Sequence, residues 1–222
     1  MTRRRSTPTG GAPAALPALP AIAALATLAA RALVAAALGL GAFAATAQPS
    51  LVILVRHADK GSEPVGDPSL SPAGERRAEA LAQALGSSGV TAIVTSQFRR
   101  TQETAKPLAR RLGIEPQVVA ARRGEGAAHI AELVQAVRAQ RGTVLVVGHG
   151  DTVPMLIGAL GGPRLPWLCE TSYGQAFVLS LAVAPVAGPA SPPAAGAAAA
   201  AQVPLLRLRY GDPDPPSADG CL

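Results

Sequence analysis

Two apolar runs in this chain each deliver a histidine. LVILVRHADK carries Arg56 and His57, and TVLVVGHGD carries His149. Between them TSQFRRTQETAKPLA holds Arg99 and Arg100. An apolar strand that stops at an ionisable residue usually stops at the carboxyl edge of an α/β sheet, where ligands bind. Two histidines and at least two arginines meeting there make a pocket for a dianion, and phosphate is the natural candidate. Histidine attacks phosphorus when its ring is neutral and oriented. The phosphoryl group carries about two negative charges and needs charge-matched donors around its equatorial oxygens. The planar, permanently charged guanidinium meets that need with bidentate contacts. Arg56 and His57 leave one strand end and can share a phosphate. Arg100 falls in the first turn of a helix, where backbone N–H groups add anion affinity. His149 leaves the second apolar strand and can donate to a phosphate oxygen. With no HExxH run in the sequence, a metal-free covalent route with no cofactor is expected.

The elements that must position these residues follow from periodicity. Residues 51–56 and 143–149 are continuous apolar runs rich in β-branched residues, the pattern of central strands buried on both faces. VTAIVTS (90–96) and the shorter EPQVVA (115–120) read as further strands. A helix is expected from Pro72 to about Leu85, with Ser71 as N-cap and Pro72 at the first helical position. Others are expected over 99–112, closed by Gly113, over 127–141 with Ile130, Leu133, Val134 and Val137 facing the core, and over 152–162. Residues 174–183 and 203–211 look like paired strands, the second near an edge. Alternating strands and helices give an α/β three-layer sandwich: a mostly parallel central sheet flanked by helices, with a C-terminal strand hairpin.

The first 47 residues differ from the rest. MTRRRSTPTGGAP is basic, the following stretch is almost pure Ala, Leu, Pro and Gly, and ATA precedes Gln48. That is the order of a secretory signal peptide, and cleavage after Ala47 is the leading expectation. The export it implies is periplasmic or extracytoplasmic. The alternative is an uncleaved anchor, with membrane association through residues 14–46. Arg31 splits the apolar stretch, however, and Pro13, Pro17 and Pro20 interrupt it, which suits a spanning helix of about 20 residues poorly. The formal charge of +6 shrinks to +2 once Arg3, Arg4, Arg5 and Arg31 are set aside, so no nucleic-acid partner is suggested. Residues 48–211 read as one domain, with a low-complexity loop over 184–202 and a disordered tail over 212–222. Cys169 and Cys221 could pair in an oxidising compartment, though nothing in their spacing demands it. A monomer is the simplest expectation for this size.

The constellation resembles the histidine phosphatase superfamily, with its phosphoglycerate-mutase-like fold. The resemblance lies in VRHADK, in the Leu-Ser-x-x-Gly helix opening of LSPAGERRAEALAQAL, in the Ser-x-x-x-Arg-x-x-x-Thr element of TSQFRRTQETAKPLA, and in VLVVGHGDTVPMLIGALG. These motifs span residues 51–160. The resemblance implies a histidine acid-type phosphatase, a phosphomonoesterase in which His57 is the phosphorylated nucleophile. Arg56 and Arg100 become phosphate ligands, and His149 the second phosphate-binding histidine. Arg100 is preferred to Arg99 because its offsets from Ser96 and Thr104 match the family element. The general acid is left open among Glu125, in the loop after the third strand where many members place it, Asp59, Asp151 and no dedicated acid. Asp59 and Ser96 are also candidate substrate contacts. RHAD departs from the glycine and small hydroxyl residue that commonly follow the histidine, and little chain is available for a mutase lid. The expected function is hydrolysis of a phosphorylated small molecule, a sugar phosphate or a phosphoprotein. A mutase-like phosphoryl transferase and a silent phosphate- or phosphoprotein-binding domain are the alternatives.

Other residues carry blander readings. His129 is expected to be superficial or satisfied, Lys60 a solvated loop lysine, and Arg122 and Arg123 a solvated pair. Thr104 is expected to cap or pack. Trp167 either packs under the last hairpin or walls the substrate, and Tyr173 has the same two readings.

Overall fold

β1 (Pro49–Arg56) lies inside a six-stranded sheet and ends beside His57. The computed structural model describes residues 49–122, 124–181, 203–215 and 221–222. The expected leader, the 184–202 stretch and Arg123 lie outside them. In chain order the other elements are α1 (Pro72–Leu85), β2 (Val90–Thr95), α2 (Arg99–Leu112), β3 (Gln117–Val118), α3 (Gly126–Arg138), β4 (Gly142–Gly148), α4 (Thr152–Ala159), β5 (Gln175–Ser180) and β6 (Leu205–Arg209). The strand order is β3-β2-β4-β1-β5-β6. β1, β2, β3 and β4 are parallel, while β5 runs antiparallel to β1 and pairs with β6 as a hairpin.

Alternation along the strands builds two cores. Val52, Leu54, Val144 and Val146 face one way, onto Ile130, Leu133 and Val137 of α3 and Leu156 and Ile157 of α4. Ile53, Val55, Leu145 and Val147 face the other way, onto Leu81 of α1 and Leu108 of α2. This is the three-layer α/β sandwich, with its sheet buried on both faces as continuous apolar runs require. Among the described residues no helix is long and apolar enough to cross a membrane.

Boundaries differ from the periodicity reading where tertiary pairing is thin. β3 shrinks to two residues because only Val94↔Gln117 and Thr95↔Val118 pair at the sheet edge, and Pro116 cannot extend the ladder. α3 ends at Arg138 rather than 141, where a turn brings the chain to Gly142 at φ 73°. The described residues of the expected tail, 212–215 and 221–222, make tertiary contacts. Asp214 is only 5% exposed and pairs with Arg77, and it also accepts from the backbone N–H groups of Tyr173 and Gly174. Cys221 forms a disulfide with Cys169. Buried charge holds Asp214, and a covalent bond holds Cys221.

α1 is set against the exit of β1 by close backbone contact. Ser71 caps the helix by accepting from the Gly74 N–H, and its own N–H donates to the Asp59 carbonyl at 2.9 Å. A Cβ on Gly74 would fall 2.1 Å from that same carbonyl oxygen. The Leu-Ser-x-x-Gly spacing therefore exists to let a helix touch the strand exit. Gly74→Ala should cost about 1–3 kcal/mol in urea denaturation, the range for overpacking, and should displace residues 57–59. An unchanged denaturation midpoint would contradict this packing account.

Candidate active site

The β1–β4 register carries the site. Arg56 pairs with Gly148, and the His57 N–H extends the ladder to the Gly148 carbonyl at 2.9 Å. The next residue on β1 and the next on β4 are His57 and His149, whose ring centroids lie 5.4 Å apart. β2 pairs with β4 through Thr95↔Val147 and brings Ser96 alongside.

Hydrogen bonds set each ring's tautomer. His57 Nδ1 lies 2.8 Å from the Ala58 carbonyl. A carbonyl only accepts, so Nδ1 carries the proton and Nε2 keeps its lone pair. Burial is the main cause that lowers the His57 pKa to about 3, with Arg56, His149 and Arg100 adding to it. In His149, Nδ1 lies 3.5 Å from an Arg100 Nη, which only donates. Its proton therefore sits on Nε2, facing the Ser96 hydroxyl at 3.0 Å. Burial, then Arg100, lowers the His149 pKa to about 4. Both imidazoles are neutral at pH 7, as a nucleophile toward phosphorus requires.

The two arginines are braced differently. Arg56 is 3% exposed. One Nη donates to the Cys169 carbonyl and the other to Glu170 at 3.0 Å, and the guanidinium stacks on Tyr173 with 4.5 Å to the ring centroid. Its Nε is buried with no partner among the described residues. Arg100 lies over Phe98 at 4.3 Å, and Phe98 in turn meets His149 edge-on at 5.4 Å. Arg99, the other candidate, points away to Glu103 and is half-exposed. Thr104 joins the halves: its hydroxyl accepts from the Ala58 N–H and donates to the Arg100 carbonyl.

Arg56, His57, Phe98, Arg100 and His149 line a cavity of about 460 Å³, shared with Lys60, Asp151, Trp167 and Glu170. A larger cleft of about 730 Å³ lies between α1 and α2 and contains none of the histidines. Among the described residues no cluster of His, Cys, Asp and Glu could hold a metal ion.

Arg56, His57, Arg100 and His149 come together, but three other candidates do not join them. Asp59 turns away and accepts from Arg77 at 2.6 Å, because the buried Arg77 needs a counter-charge more than the pocket needs a carboxylate. Glu125 stands at the start of α3, half-exposed, 3.5 Å from Arg122, outside the cavity lining. Ser96 is buried, its hydroxyl spent on His149 and Thr101, so it orients a histidine and does not line the cavity. Asp151 does line it while capping α4 through the Thr152 N–H at 2.7 Å. His129 is buried rather than superficial, with a ring bond to the Ala120 backbone and Nδ1 without a partner among the described residues. Sequence reasoning passed over Phe98 and Glu170. Phe98 sits inside the Ser96–Thr104 motif and could have been noticed there. Glu170 reaches the pocket only because Cys169 is held, which no local pattern signals.

Residues 52–125 match the family model described as histidine phosphatase superfamily (branch 1). A probable phosphoglycerate mutase, GpmB of Yersinia enterocolitica, is 40% identical over 70 residues, covering 29% of this chain and 33% of that protein. The chain spans a third or less of the length of the curated relatives it matches. Among solved structures, the mycobacterial glucosyl-3-phosphoglycerate phosphatase is 19% identical, with a TM-score of 0.46 over 59% of this chain and 90% of that one. The protein histidine phosphatase SixA complexed with tungstate is 18% identical, with a TM-score of 0.45 over 58% and 86%.

The lowered histidine pKa values make a stability prediction. Unfolded histidine takes up a proton near pH 6.5 (about 6.5 in model peptides), whereas these two stay neutral until about pH 4 and about pH 3. Between those limits the unfolded chain binds more protons. The stability tied to the neutral rings is therefore full above pH 6.5 and falls as pH falls. Wild type should lose roughly 1–2 kcal/mol per histidine between pH 7 and pH 5. His57→Asn should lose less over the same interval in urea titrations, and equal slopes would show that the ring is not held neutral by the fold.

Proposed function

The chain belongs to the histidine phosphatase superfamily, branch 1, and from that premise we propose that it hydrolyses phosphoric monoesters through a covalent phosphohistidine on His57. The observation that carries this reading is the His57 tautomer: Nδ1 is committed to the Ala58 carbonyl, and Nε2 presents a lone pair at the cavity. Nε2 attacks phosphorus, the bond to the leaving oxygen breaks, and its electron pair stays on that oxygen. Asp151, the one of the three carboxylate candidates that lines the cavity, supplies the proton. Water then attacks phosphorus, the P–N bond breaks with its pair returning to Nε2, and the proton of that water goes back to Asp151.

The cationic groups stabilise the phosphoryl oxygens. The unpartnered Arg56 Nε would be satisfied by one oxygen, and Arg100, only 15% exposed, by another. His149 Nδ1 faces Arg100 without a proton, and an adjacent dianion favours its protonation and turns it into a donor. Arginine and imidazolium charge do here what a metal ion does in other phosphoryl-transfer sites. A mutase-like transfer needs a retained intermediate, and the open mouth of this cavity favours release to water.

The test is rapid acid-free quenching of the full chain with an activated aryl phosphate in EDTA. Label should map to an acid-labile site at His57 and vanish in His57→Ala. His149→Ala should lower kcat/KM by about 10²–10³, the scale for one lost oxyanion donor. Asp151→Asn should slow alkyl esters more than aryl esters, whose oxygen departs without help. Folded protein with neither label nor turnover would make a silent phosphate-binding domain the better description.

Export is proposed as well, supported by the Cys169–Cys221 disulfide, a bond that persists in oxidising compartments. Intact-mass analysis of the protein expressed with its leader should find Gln48 as the first residue in the extracytoplasmic fraction. Full-length protein confined to the cytoplasm would overturn export.

A further inference from the structure

Trp167 is the sole tryptophan of the chain and is 69% exposed at the mouth of the phosphate cavity. Such an exposure would suit a mobile loop, yet its backbone is held from three sides. The Trp167 carbonyl accepts from the Leu222 N–H at 3.0 Å, the Leu168 N–H donates to the Gly150 carbonyl at 2.9 Å, and the Cys169 N–H donates to the Leu222 carbonyl at 2.7 Å. The Cys169–Cys221 disulfide closes the same point covalently. A rigid backbone presenting a bare indole is a preorganised contact surface, with little ordering entropy left to lose on binding.

The indole also walls a second depression. A groove of about 760 Å³ continues from Trp167 along Leu165, Pro154, Met155 and Ala127, with Arg164 as its one charged lining residue. Met155 is 43% exposed there. The phosphate cavity fixes one end of any occupant, since its cations take the phosphoryl group, so what crosses Trp167 is the other half of the same molecule. A polyol laid in this groove would give up water hydrogen bonds and find few partners. An apolar body would bury area on indole, thioether and proline at no such cost.

We infer that Trp167 and Met155 form a leaving-group subsite selecting phosphoric monoesters of apolar alcohols or phenols. The inference rests on the phosphate-pocket reading above and names the substrate class for that site.

Non-hydrolysable phosphonates separate the subsite from the chemistry, because all present the same anion and differ only in the apolar body. Methyl-, benzyl- and hexylphosphonate would be titrated into the full-length, oxidised protein by calorimetry, with emission of the single tryptophan followed in parallel. Benzyl- and hexylphosphonate should bind about tenfold more tightly than methylphosphonate and should alter Trp167 emission more than methylphosphonate does. Trp167→Ala, and independently Met155→Asp, should bring the three dissociation constants to within about twofold of one another. Both side chains are exposed, so neither substitution threatens folding. Equal affinities in the wild type, or an apolar preference that survives both substitutions, would overturn the subsite. The His57 label on the same preparation distinguishes the two readings. Label with equal affinities sinks only the subsite, and an apolar preference without label sinks only the hydrolytic mechanism.

Discussion

The parallel pairing of β1 with β4, in the register that sets Arg56 beside Gly148, is the constraint on which the site depends. Parallel strands end level with one another, and the residue after each leaves the sheet at its carboxyl edge. The pairing thus turns two residues nearly a hundred positions apart into neighbouring imidazoles. A slip of one residue would swap every buried valine of β1 to the opposite core. Two cores that accept alternating residues therefore lock the register that the chemistry uses.

Burying charge at that edge creates a second requirement. Arg56 and Arg77 are both almost fully buried, and a buried guanidinium without partners is costly. Arg77 draws in Asp59 and Asp214, which fastens the strand exit, α1 and the tail into one network. Arg56 draws on the Cys169 carbonyl and Glu170, while its buried Nε has no partner among the described residues. The first arrangement is closed and structural, and the second is incomplete in a way an anion would complete. Burial, with the same positive field adding to it, keeps both histidines neutral.

The loop 167–170 shows how one short segment serves several ends. It gives Arg56 its carbonyl and carboxylate partners, carries the exposed indole, and is pinned by the disulfide and by backbone pairing to Leu222. Pinning of this loop holds Arg56 and the adjacent apolar surface in fixed relation.

The sequence by itself determined the strands, the helices and the four residues at the heart of the pocket. Those signals are local: apolar runs long enough to be buried, a Ser-Pro helix start, and ionisable residues placed where runs stop. Phase along α2 also separates Arg100 from Arg99, since adjacent helical positions point about 100° apart. Tertiary structure alone decided the fates of the carboxylates. Asp59 stands two residues from His57 and reads as a pocket residue, yet the buried Arg77 claims it from a helix 18 positions later. Glu125 is fixed by the Arg122 turn, and Glu170 enters through a disulfide spanning 52 residues. The tail reads as disordered because proline and glycine are counted where they stand, while Asp214 and Cys221 within it are held by an ion pair and a covalent bond with distant partners. Periodicity reports which face of an element is buried. Which counter-charge a buried cation finds depends on packing between elements, and that is written only in three dimensions.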